Sequence, residues 1–108
     1  METSKALVAL AALAQDTRLG IYRLLVEHAP EGLPAGQIAE HLDISPATLS
    51  FHLKELTVSG LVTQEREGRN LIYRPSIEQM NDLLAYLTAH CCQGTAREVV
   101  STLGCTTC

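Results

Sequence analysis

The sequence predicts a mainly α-helical domain carrying one β-hairpin. Three observations predict it. The segment SPATLSFHLKEL has a strong helix start and leucines at helical spacing. Residues on both sides of Glu67-Gly68-Arg69-Asn70 alternate in polarity, as hairpin strands do. Apolar and amphipathic helical segments flank this unit on both sides. At 108 residues the chain reads as a single domain, 1–108, near the size at which pairing with another subunit helps.

The elements follow in order. Residues 4–14 form a helix that is apolar all round, so a subunit interface is expected to bury it. Lys5 followed by ALVALAALA also resembles a secretory signal. Glu2 spoils the positive leading region and the apolar run is short, so a helix of the mature protein is the better reading. The nine-residue run Ala6–Ala14 is far below the ~20 residues that a bilayer requires. Asp16 caps a second helix, 16–28, whose Leu19, Tyr22, Leu25 and Val26 are expected on one face. Two prolines and two glycines in 29–36 break it. A short helix at about 35–42 turns Ile38 and Leu42 inward, with Leu33 beside them. After a three-residue turn, Ser45 caps a helix of about 46–59, with Pro46 in its first position and Gly60 as its stop. A two-stranded wing occupies about 61–75. Ser76 with Gln79 opens a helix of about 77–90 that aligns Ile77, Met80, Leu83, Leu84 and Leu87. Thr95 with Glu98 opens a last short helix, 96–103. Short helix, tight turn, capped helix and hairpin together make a winged helix-turn-helix.

The capped helix is the candidate reader of DNA. At about 100° per residue, Leu49, Leu53 and Leu56 form one buried stripe. Phe51, the only phenylalanine, then lies about opposite that stripe, flanked by Ala47, Thr48, Lys54 and Glu55. Thr48 and Ser50 suit base edges, Phe51 suits thymine methyls and Lys54 suits phosphate. Ser45 and Ala47 at the helix start complete the surface. A single exposed aromatic on a solvated face is the plainer alternative. Arg66 and Arg69 at the wing tip favour DNA, since a basic wing contacts phosphate or enters the minor groove. His52 falls at the edge of the stripe and reads as a half-buried structural residue.

The charge pattern agrees. The chain carries −4 overall. Residues 45–75, however, hold Lys54, Arg66, Arg69 and Arg74 against three acids, half of all the basic residues. Aromatics are only 4% of the chain and Trp is absent, which argues against a single-strand stacking platform. No nucleophile–base constellation or phosphate loop points to an enzyme.

The sequence resembles the ArsR/SmtB family of small metal-responsive repressors. The likeness runs from ALAQDTRLGIYRLL through SPATLSFHLKEL to GLVTQEREGRNLIYRP, nearly the whole chain. It implies a homodimer built on the first and last long helices, 4–14 and 77–90. It also implies an operator-bound form that lets go of DNA when metal binds. The family's arsenic site with a Cys-x-Cys pair before the reading helix is absent, because that region reads QIAEHLDIS. The zinc site along the last long helix is absent too, because only Asp82 and His90 stand there. A subgroup of arsenic repressors uses an adjacent cysteine pair at the end of this helix plus a third cysteine downstream, which corresponds to Cys91, Cys92 and Cys105.

All four cysteines lie in the tail 91–108, where disulfides would close only small loops. A cytoplasmic thiol or metal role fits better. As(III), and Sb(III) beside it, are soft centres that take three thiolates. Cys91 and Cys92 supply two, and Cys105 or Cys108 the third. A helix over 96–103 would span about 12 Å, so the third sulfur would come from a rearranged tail or from the partner subunit. The function expected is therefore a repressor released from double-stranded operator DNA by As(III), with no organic cofactor and no membrane. The alternatives are a thiol redox-responsive regulator and a Zn- or Cd-responsive one.

Overall fold

A computed structural model describes residues 1–89. The four cysteines, His90 and the expected helix 96–103 lie outside the described residues.

The first helix, α1 (Thr3–Leu13), buries Ala6, Ala9 and Ala12 and leaves Leu7, Val8 and Leu10 exposed. Alanines inward let its backbone approach α2, α4 and α5 closely. The second helix, α2 (Asp16–Glu27), is capped by Gln15 and not by Asp16. The Gln15 side chain accepts the Arg18 amide at 2.9 Å, while Asp16 Oδ1 accepts the neighbouring Thr17 amide and the Gln15 side-chain N–H, neither of which is the N2 or N3 amide that a cap takes. The buried arc of α2 is Ile21, Tyr22 and Leu25; Leu19 and Val26 are exposed. Those two lie about 140–160° around the helix from Ile21, so a core centred on Ile21 excludes them. The Tyr22 hydroxyl is buried without a partner among the described residues, and burial pushes its pKa up.

A two-residue strand, β1 (Leu33–Pro34), leads directly into α3 (Ala35–Leu42). Asp43 closes α3 in the left-handed region at φ 52°, a conformation that aspartate tolerates better than most residues. The turn Asp43-Ile44-Ser45 then delivers α4 (Pro46–Val58). Ser45 Oγ accepts the Thr48 amide at 3.2 Å, as the sequence led one to expect. Gly60, at φ 85°, ends the helix. The wing is β2 (Val62–Glu67) and β3 (Asn70–Pro75), with Glu67 opposite Asn70. Gly68 at φ 65° fills the first turn position and Arg69 is not left-handed, which is a type II′ turn.

The sheet has three strands in the order β1-β3-β2, where the sequence reading had two. Leu33 pairs with Tyr73 and Pro34 with Ile72. Gly32, just before β1, is indispensable there. Its φ is 79°, and a Cβ would stand 2.6 Å from the Tyr73 carbonyl oxygen. Helix α5 (Ile77–Thr88) begins at Ser76, whose hydroxyl accepts the Gln79 amide at 3.2 Å. It packs Leu83 into the core and leaves Ile77, Leu84 and Leu87 exposed, so one chain covers only part of its apolar stripe. A hydrogen bond between the Tyr86 and Thr3 hydroxyls ties α5 to α1. No helix among the described residues is long and apolar enough to cross a membrane.

Candidate nucleic-acid interface

Helix α4 is sorted as its periodicity demands. Leu49, His52, Leu53 and Leu56 are buried. Phe51 is 57% exposed. Ser45, Ala47, Thr48, Ser50 and Lys54 are exposed around it. The cap spends the Ser45 hydroxyl, which accepts the Thr48 amide and donates to Thr48 Oγ1 at 2.9 Å. Thr48 keeps its own hydroxyl proton for an outside acceptor. Of the two residues, Thr48 is therefore the one equipped to meet a base, and Ser45 the one that fixes the helix start.

The wing stands beside this face. Strand register puts Val62, Gln64 and Arg66 on one side with Pro75, Tyr73 and Leu71. Gln64 and Tyr73 share a cleft of about 200 Å³ with Ser50, Leu53, Lys54, Thr57 and Val58 of α4. Arg66 follows two residues after Gln64, so it shares the side that faces the reading helix. Arg69 occupies the tip.

The other side of the wing carries the acids. Arg74 pairs there with Glu65 at 3.0 Å and with Glu67. Its Nε also donates to the Pro30 carbonyl at 3.0 Å. The hydrogen bond to Glu67 holds the Arg74 pKa above even its usual value. These are the ion pairs among the described residues, so Arg66, Arg69 and Lys54 project uncompensated charge. The sequence reading did not give Arg74 this role. Register arithmetic across a turn at 68–69 would have found it, because it places Glu65, Glu67 and Arg74 on one face. Arg18 was also missed. It reaches His52 at 3.3 Å, and no local pattern signals a contact 34 residues away.

Among the described residues no three His, Cys, Asp or Glu side chains gather as a metal site. The thiols Cys91, Cys92, Cys105 and Cys108 lie outside them.

Comparison with known proteins agrees with this geometry. A helix-turn-helix domain family model matches residues 13–65. The transcriptional activator HlyU of Vibrio cholerae is 31% identical over 84% of this chain and 82% of HlyU. Its solved structure superposes with a TM-score of 0.66, covering 86% of this chain and all of that one. HlyU has also been solved in a reduced form. The homodimeric winged helix-turn-helix DNA-binding domain of Mb0332 from Mycobacterium bovis, a possible ArsR-family regulator, is 29% identical with a TM-score of 0.66, covering 79% of this chain and 76% of that one. A putative arsenical resistance operon repressor of Halobacterium salinarum is 40% identical over 60 residues, 56% of this chain and 46% of that relative.

Proposed function

The chain belongs to the ArsR-type winged helix-turn-helix transcriptional regulators, and from that membership we propose that it is a homodimeric repressor released from its operator by As(III). Sb(III) shares the thiol chemistry and is the second inducer proposed. The observation that carries the DNA half is the polarity of α4. Three leucines point inward, and Phe51 stands outward among Thr48, Ser50 and Lys54, with Arg66 and Arg69 of the wing alongside. Phe51 and Thr48 read bases, Ser45 and Ala47 seat the helix start, and Lys54, Arg66 and Arg69 hold phosphate or the minor groove.

The dimer half rests on apolar surface. Leu7 and Val8 of α1 and Leu84 and Leu87 of α5 are each half or more exposed, on helices joined by the Thr3–Tyr86 bond. A second copy covers them. It also sets the two reading helices about 34 Å apart, one turn of the duplex.

The inducer half rests on donor chemistry. Cys91 and Cys92 follow α5 within three and four residues of Thr88, and Cys105 supplies a third sulfur. An all-thiolate set fits a soft three-coordinate centre and selects against hard cations. Full release requires the metalloid to favour the free form by about 5.5 kcal/mol over the bound form. The cytoplasm, where thiols stay reduced, is the compartment this chemistry needs.

Gel shifts on the protein's own upstream region, with and without arsenite, test the reading. Wild type is expected to bind and to let go with arsenite, while Cys91→Ser, Cys92→Ser and Cys105→Ser bind but no longer let go. An arsenite-insensitive wild type would remove the inducer. A thiol redox reading is favoured by the existence of a reduced HlyU structure. It predicts release by peroxide, reversed by dithiothreitol, without metalloid.

A further inference from the structure

Arg18 touches three helices. It belongs to α2, its Nε donates to the Ala12 carbonyl of α1 at 2.7 Å, and its Nη1 stands 3.3 Å from His52 Nδ1 on α4. Its own amide is pinned by the Gln15 cap. Ala12 O is one of the last carbonyls of α1, which a helix leaves without an internal partner. A guanidinium at that end also suits the helix dipole. Arginine donates and never accepts, so Nδ1 must be the acceptor and His52 holds its proton on Nε2. The His52 ring in turn meets the Phe51 ring nearly edge-on, with centroids 5.4 Å apart.

We propose that Arg18 is a positioning residue that transmits movement of α1 to the DNA-reading face of α4. The connected groups run from the α1 carboxyl end through Arg18 and His52 to Phe51. At the other end of α1, Thr3 is bonded to Tyr86 of α5, two residues before that helix stops. A pull on the end of α5 therefore reaches α1, and α1 is fastened to the reading helix. The bond to Ala12 is short, the one to His52 is long at 3.3 Å, and both are directional, so a shift of an ångström or so either drags His52 or breaks its bond. Either outcome re-aims Phe51. The proposal deepens the As(III)-release reading and rests on it for the origin of the pull.

The test uses the full chain. Arg18→Met keeps the aliphatic stem and removes the donors. Its operator affinity is expected to fall about tenfold. Affinity for random duplex, which rests on Lys54, Arg66 and Arg69, should hold. In nitrogen-15 spectra, His52 should lose the signature of an Nε2–H tautomer with a hydrogen-bonded Nδ1. Arg18→Lys keeps the charge but reaches one acceptor at a time, and it covers the case in which the methionine variant unfolds. It should show the same operator-selective loss. In a His52→Gln background, Arg18→Met should add less than it does alone; full additivity overturns the link. Unchanged operator binding in both Arg18 variants, with the His52 signature intact, also overturns it. With arsenite, the fold-change in operator affinity should shrink several-fold in Arg18→Met. If wild type ignores arsenite, the inducer reading fails, while the duplex comparison and the His52 spectrum still decide the role of Arg18.

Discussion

Helices α1 and α4 are built in opposite senses. Helix α4 puts leucines inward and leaves Phe51 outward among polar groups, with Val58 exposed at its last turn. Helix α1 puts alanines inward and Leu7, Val8 and Leu10 outward. In a free monomer the first arrangement already holds its leucines out of water. The second leaves large side chains in water and asks for a further surface. The same hydrophobic effect thus leaves one helix a mixed polar face of the kind that suits a charged, hydrated duplex and the other an apolar face of the kind that suits a protein.

This contrast breaks in a defined order. The largest effect is expected from Leu56→Ala, which opens a cavity under α4 and should cost about 3 kcal/mol of unfolding free energy in denaturant titrations. Leu7→Glu should leave monomer folding intact but shift sedimentation to a single copy. Operator affinity should then drop by about 100-fold, because two half-sites are no longer held together. A Leu7→Glu protein that stays dimeric would mean that α1 is not the contact. Phe51→Ala should change stability by less than about 0.5 kcal/mol, yet cost about 1–2 kcal/mol of preference for operator over random duplex. Equal losses on both duplexes would deny it a base-reading role. Arg69→Ala should weaken all duplexes alike and lower the slope of log affinity against log salt by about 1.

The smallest effect concerns Tyr22 of α2, the helix that packs against both α1 and α4. Its folded pKa is raised by burial, so the folded state holds the phenol proton more tightly than the unfolded one. Stability is therefore unaffected below about pH 10, and falls as pH rises past that value toward the folded pKa. Tyr22→Phe removes a buried hydroxyl that has no partner among the described residues, so it should flatten this alkaline decline and cost nothing at neutral pH.

The α4 face was legible because three leucines and one phenylalanine on a 3.6-residue period leave little choice. The Ser45 and Ser76 caps and the Gly68 turn were legible because each is a local device. What escaped was not local. Strand β1 is two residues long and includes a proline, too short for any period, and exists because β3 supplies its partner. Gln15 displaced Asp16 as cap because a longer side chain one residue earlier reaches the Arg18 amide. Leu19 and Val26 look like core on a helical wheel, but which arc is buried depends on where α1, α3 and α4 stand. Of the candidate site, the eight residues proposed to meet DNA are all exposed where the structure puts them, whereas the link through Arg18 needed coordinates.

The arginine at the base of the wing has a further consequence. Two carboxylates on a strand proposed to lie beside a polyanion would ordinarily repel it. Arg74 acts as their resident counterion, with its Nε anchored to the Pro30 carbonyl. The hairpin can then keep glutamates for solubility without carrying their repulsion to the duplex. Losing Arg74 would leave both acids without their partner and turn a cationic finger into a neutral one.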